Sequence, residues 1–251
     1  MTNRWRWAAA SRQGTSHLHS GTPRQDAFCC SGVGDFFIGV ACDGAGSAVY
    51  GGVGAFIASR TLHREFSDYV AQTGTIPDSD IVWTWFDQVR DRLGDVSGRH
   101  GLALRDFATT AVCCISNGNE TLTAHVGDGA VVARRADSLL WSALSWPDAG
   151  EFASSTFFVT DEILLKLRIS NCHKPVDSLA LFTDGIERLA LNFAESSAHQ
   201  PFFSGMITPL HTDRSNSGHL KGLSRLLYEF LGSERVNNRT DDDKTLLIAA
   251  V

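Results

Sequence analysis

Residues 39–52 read "GVACDGAGSAVYGG", and the fold is decided by how this stretch is understood. An apolar run from Ile38 to Cys42 stops on Asp43, and four of the nine residues that follow are glycine. A carboxylate at the end of a buried strand costs free energy unless something pairs with it. Clustered glycine lets another body approach the backbone closely. The stretch therefore reads as a strand that delivers a carboxylate to a ligand.

Working outward, "RWRWAAAS", "DAFCCSG" and "DFFIGVACD" have strand character and precede the glycines. From Tyr50 to about Tyr69 the pattern turns helical. A second helix is expected over 80–94, where Val82, Trp85, Phe86, Val89 and Leu93 recur at helical spacing. "ATTAVCCIS", "ETLTAHVG", "GAVVARRA" and "SLLWSA" then form a meander, with Asn117-Gly118 its clearest hairpin signal. "DEILLKLRIS" and "DSLALFTDG" are expected as further strands. Leu220, Leu223, Leu227 and Phe230 mark a helix, and "KTLLIAAV" closes the chain as a strand. Strands and helices cluster instead of alternating, which excludes a parallel βαβ sheet. The expectation is an α+β fold of two antiparallel sheets with helices packed outside. No repeat or linker divides it, so residues 1–251 read as one domain, with 143–160 and 192–216 as surface insertions near a site.

Composition narrows the function. Apolar residues make up 43% and charged residues 20%, ordinary for a globular protein, while a net charge of −6 argues against nucleic acid as the main partner. Neither a secretory signal nor a membrane-spanning run is present, so the chain reads as cytoplasmic. The six cysteines fit that compartment: none has C-x-x-C spacing, and two adjacent pairs sit in apolar runs. The glycine spacing fails the dinucleotide fingerprint at Val49, and both G-K-[ST] and G-x-S-x-G are absent.

Asp43 has companions. Asp128 lies between two glycines after a strand, Asp184 ends another strand, Asp241 to Asp243 precede the last strand, and Asp26 begins one. A single Asp-Gly is most simply a turn. Strand ends from two sheets meet at one edge, however, and carboxylates gathered there repel unless cations hold them. With no His or Cys cluster at metal spacing, all-oxygen ligation selects Mg²⁺ or Mn²⁺. Of the histidines, His17 and His19 read as loop residues close to Asp26, and His125 as a satisfied sheet residue.

In their order, "QDAF", "ACDGAGS", "ATTA", "HVGDGA", "LFTDGI" and "DDKT" resemble the motifs of the metal-dependent Ser/Thr protein phosphatases of type 2C, the PPM family. The resemblance covers nearly the whole chain. It implies a β-sandwich flanked by helices that hydrolyses phosphoserine and phosphothreonine with a water activated by two metals. Asp43, Asp184 and Asp242 would be the catalytic carboxylates. Asp43 would bridge two ions, Gly44 would offer its carbonyl, and Asp184 with Asp242 would complete the first site. Asp128 would serve a third ion beside Asp184, and Asp26 would act through water. Thr109 and Thr110 would be structural. Three departures stand out. Gln25 replaces a Glu ligand, Asp243 replaces an Asn, and the Arg that grips phosphate is replaced by Ser20, Gly21 and Thr22, leaving Arg24 or His17 as substitutes. The implied partners are a phosphorylated protein and a cognate Ser/Thr kinase. The departures support an alternative, a pseudophosphatase that binds phosphoproteins or a kinase without turnover.

Overall fold

The computed structural model describes residues 4–148, 156–161, 165–212 and 217–251. Its centre is two facing sheets. The first has the order β2 (Ala27–Val33), β3 (Phe36–Cys42), β4 (Ala111–Ser116), β5 (Thr121–Val126), β8 (Arg168–Cys172), all antiparallel. The second runs β12 (Gly218–His219), β1 (Arg6–Arg12), β13 (Lys244–Ala250), β9 (Val176–Phe182), β6 (Ala130–Arg135), β7 (Trp141–Ser145). It is antiparallel except for the two-residue pairing of β12 with β1.

Alternation along the strands divides the core into layers. In β3, Phe37 and Ala41 face the other sheet, where they meet Trp5, Trp7, Leu181 and Leu247. Phe36, Ile38, Val40 and Cys42 face outward onto α2 (Gly51–Thr73) and α3 (Ser79–His100). β13 does the same, with Leu247 and Ala249 inward and Leu246, Ile248 and Ala250 toward the helices on its own side. Burial on both faces is why these strands read as continuous apolar runs rather than as alternating ones. The helical residues expected from 80–94, Val82, Trp85, Phe86, Val89 and Leu93, are all buried. α3 begins where the Asp78 carboxylate accepts the Ile81 N–H at 2.9 Å and ends at left-handed Gly101.

Two expectations need correction. "DEILLKLRIS" forms a strand only from Arg168, while Leu165 and Leu167 pack beneath α2 and α3 without sheet pairing; residues 162–164 lie outside the described residues. Within the stretch expected as the insertion 192–216, residues 192–212 are not irregular. They contain the hairpin β10 (Leu191–Asn192) and β11 (Ser197–Ala198) and the helix α5 (Gln200–Thr212), whose Phe203, Ile207 and Leu210 are buried against the second sheet. Gly205 and Pro209 mask that helix in the sequence, and tertiary packing outweighs their low propensity. Residues 149–155, within the expected insertion 143–160, and residues 213–216, at the end of the other, lie outside the described residues. The remaining helices are α1 (Thr15–Ser20), α4 (Asp184–Ala190), α6 (Lys221–Leu231) and α7 (Glu234–Asn237). Among the described residues, no helix is long and apolar enough to cross a membrane.

Candidate active site

β3 ends at Asp43, the turn from β5 to β6 carries Asp128, β9 hands over to α4 at Asp184, and residues 241–243 lead into β13. Both sheets thus deliver carboxylates to one edge. Oxygens of Asp43, Asp128 and Asp184 all lie within 4.8 Å of one another. Like charges at such separations repel by roughly 3 kcal/mol per pair at an effective dielectric of about 20. The acids respond accordingly. Burial first, then the charges of Asp26, Asp184, Asp128 and Asp242, hold Asp43 well above the usual carboxylate range. Asp184 is driven up by burial and then by Asp128 and Asp242, and Asp128 by burial and then Asp242. Asp242 is raised chiefly by its own burial.

The frame around these acids is specific. Thr110 donates its backbone N–H to the Asp43 carbonyl at 2.8 Å, and its hydroxyl accepts the Asp43 N–H at 3.1 Å. The Thr109 hydroxyl donates to the same carbonyl at 2.9 Å, so both threonines are structural and fix the end of β3. Gly44 has no room for a side chain, because a Cβ there would sit 2.2 Å from the carbonyl carbon of Gly51. Gly129 takes φ +85°, and its N–H donates to Glu187 Oε1 at 2.6 Å. Burial pushes the Glu187 carboxyl up to about 7.

Asp26 is fully enclosed. Its Oδ2 accepts hydrogen bonds from the hydroxyls of Thr183 at 2.8 Å and Thr245 at 2.6 Å. Burial raises its pKa to about 7 against the lowering effect of those two donors. Oδ1 of Asp26, of Asp128 and of Asp184 is buried without a hydrogen-bond partner. Three orphaned carboxylate oxygens at one edge are the donor set a hard divalent cation takes, so the residues present fit such an ion.

Asp242 lies outside the tight triad but lines the same cleft as Asp128 and Asp184. Its Oδ1 accepts the backbone N–H of Asp243 at 2.7 Å. Asp243 has a different task. Its Oδ1 accepts from Gly14 N–H at 2.7 Å, and its Oδ2 from Gln25 N–H at 2.6 Å and Asp26 N–H at 3.4 Å. Both oxygens face donors, so an amide would set its NH₂ against an N–H, and this explains Asp at a position where the type 2C motif has Asn. His17 Nδ1 stands 3.0 Å from Asp243 Oδ1, which places His17 against the clamp. Arg24 donates to the Ser11 carbonyl at 3.0 Å and lines a separate hollow with Gln25. His125 is satisfied by Ser145 Oγ and the Asp128 carbonyl.

The cleft over the carboxylates measures about 600 Å³ and carries two cationic side chains that sequence reasoning passed over, Arg188 and Arg239. Nothing local distinguishes them from other surface arginines; only the fold brings α4 and the loop before Asp241 to the same wall.

The protein phosphatase 2C family model matches residues 13–231, most of the chain. The chain belongs to the protein phosphatase 2C family. Its sequence is 38% identical over 256 residues to Serine/threonine-protein phosphatase 3 of Escherichia coli (strain K12), with 98% of each chain covered. Among solved structures of similar fold are PppA, a key regulatory component of T6SS in Pseudomonas aeruginosa, at TM-score 0.64, and the serine/threonine phosphatase Stp1 from Staphylococcus aureus at 0.63. The first covers 99% of this chain and 98% of its own at 18% identity, the second 100% and 95% at 15%. The α+β sandwich is therefore that of the type 2C phosphatases.

Proposed function

We propose that this family member hydrolyses phosphoserine and phosphothreonine in proteins with the help of Mg²⁺ or Mn²⁺, and that residues 1–251 form one catalytic domain. The supporting observation is the set of orphaned carboxylate oxygens at the edge where Asp43, Asp128 and Asp184 converge. In this reading Asp43, Asp184 and Asp242 are the catalytic ligands, with Gly44 offering its carbonyl and Asp128 serving a further ion. Bound cations would offset the mutual repulsion of these acids, lower the pKa of a water to give a nucleophile, and draw charge from the phosphoryl oxygens.

The protein's own groups do the rest. Thr109 and Thr110 hold Asp43 in place, and Asp26, anchored by Thr183 and Thr245, has one oxygen spare to accept a hydrogen bond from a water. Arg188 and Arg239 put positive charge on the cleft wall for the substrate's phosphoryl oxygens, the task for which Arg24 or His17 was expected as a substitute. A pseudophosphatase would not need so complete a set of unpaired carboxylates. Net charge of −6 favours protein over nucleic-acid partners, and a cytoplasmic location with a kinase supplying the substrate completes the proposal.

The test is turnover of p-nitrophenyl phosphate. Activity is expected to vanish in EDTA and to return with Mn²⁺ or Mg²⁺. Full activity after exhaustive chelation would sink the proposal, and no turnover with any divalent ion would favour the pseudophosphatase.

A further inference from the structure

Four apolar side chains at the start of α2 face solvent together. Val49 is 74% exposed, Tyr50 40%, Val53 43% and Phe56 53%. Val53 and Phe56 are three apart on α2 and so share a side of the helix, and Val49 and Tyr50 join them from the turn that leads into it. With Arg24 and Gln25 they line a hollow of about 380 Å³. Apolar surface gathered in one place marks an interaction site more often than scattered exposure does.

Its position says what binds there. The Gln25 carbonyl accepts the Gly44 N–H at 3.3 Å, so one lining residue of the hollow is the chain neighbour of Asp26 and is bonded to the residue that follows Asp43. The charged cleft with Arg188 and Arg239 takes in Asp128, Asp184 and Asp242 but none of the residues of the hollow. A polypeptide whose phosphorylated residue sits at the carboxylates passes close to the hollow, because Gln25 and Asp26 are consecutive and their Cα atoms stand about 3.8 Å apart. The volume is near the lower end of the roughly 300–1,000 Å³ of small-ligand pockets, enough for one or two side chains. Four partly exposed residues fall short of the about 800 Å² per partner that a stable dimer buries. The rim is cationic, with Arg24 at the lip and the Arg60 guanidinium 5.0 Å over the Phe56 ring.

We propose that this hollow docks a bulky apolar side chain of the substrate polypeptide, within four residues of the phosphorylated residue, and disfavours a basic one there. The proposal rests on the phosphatase reading of the carboxylate edge and adds the sequence context that the substrate must present.

The experiment uses the full chain with Mn²⁺ and phosphothreonine peptides of alanine background, in which Leu, Phe or Lys is walked from four residues before to four after the phosphothreonine. One position should raise kcat/KM about 10-fold with Leu or Phe and not with Lys, the scale of a filled apolar pocket. That gain should disappear in Val53→Ser/Phe56→Ser, and shrink in the milder Val49→Ser, while p-nitrophenyl phosphate turnover stays at the wild-type rate. A flat panel, or a gain that survives in the variants, overturns the proposal. So does a wild-type dimer in sedimentation velocity that the double variant abolishes, since a second copy would then cover the patch. Loss of p-nitrophenyl phosphate turnover in the wild type strikes the phosphatase reading itself, which a flat peptide panel does not.

Discussion

Two hollows flank the Asp43 strand end, and they differ in every physical respect. The cleft over Asp128, Asp184 and Asp242 is acidic at its floor with arginines on its wall. The hollow beside Gln25 is lined by Val49, Tyr50, Val53 and Phe56 and has almost no carboxylate character. Phosphoryl chemistry needs strong, fixed charge, whereas recognition of a flexible polypeptide needs apolar area at low electrostatic cost. Segregating the two lets sequence preference vary without disturbing the reacting centre. Between them stands the Asp243 clamp, which ties Gly14, Gln25 and Asp26 to the last strand.

The contrast can be broken most severely on the charged side. Asp43→Asn or Asp184→Asn should lower kcat at least about 10³-fold on small and peptide substrates alike, as loss of a major electrostatic group does. The metal-free Asp184→Asn protein should melt higher, by about 2–4 °C for each kcal/mol of repulsion relieved. Activity retained in these variants would make the aspartates turn residues. A smaller effect is expected for Arg239→Ala. The KM for p-nitrophenyl phosphate and the inhibition constant for inorganic phosphate should both rise about 10-fold, with Arg239→Lys partly restoring them, while the preference for apolar flanking residues is untouched. Equal phosphate inhibition in wild type and variant would remove Arg239 from the phosphate site.

At the divide, Asp243→Asn should cost about 1–3 kcal/mol in urea unfolding of the metal-free protein, the scale of hydrogen bonds to a charged acceptor. No change would mean the amide finds acceptable partners. The least effect lies beneath the apolar side. His63, hydrogen-bonded to Ser31 Oγ at 2.9 Å, has its pKa lowered from 6.5 by burial and then by Arg60. The unfolded chain therefore takes up the proton first, so this contribution is intact above pH 6.5 and is lost as pH falls toward the lower folded value. His63→Gln should flatten the fall of Tm over that acidic range relative to wild type, and parallel curves would refute the assignment.

How much could be read beforehand follows the same physics. The carboxylates were legible because each stands at the boundary of an apolar strand, Asp43 and Asp184 at an end, Asp26 and Asp242 before a start, a local signal. Thr109 and Thr110 were read as structural through the resemblance, and their hydrogen bonds to Asp43 are the form that role takes. The role of Asp243 was hidden among three consecutive aspartates, since only the fold shows which of them meets the N–H groups of Gly14, Gln25 and Asp26. Arg188 and Arg239 gave no signal at all, because an exposed arginine acquires its meaning from its neighbours in space. α5 was lost to Pro209 and Gly205, and the strand expected from Asp161 was drawn too long because an apolar run packs under helices as readily as it pairs in a sheet.

Cys42 is the last residue of the strand that carries Asp43, and it is fully buried. Burial first, then neighbouring thiols and the acids at positions 26 and 43, hold its thiol well above its ordinary value. Oxidants and soft metals react with thiolate, the form that burial disfavours here. Sulfur chemistry is thereby disfavoured beside the carboxylate edge, and turnover should persist under mild oxidants that silence enzymes with a cysteine nucleophile.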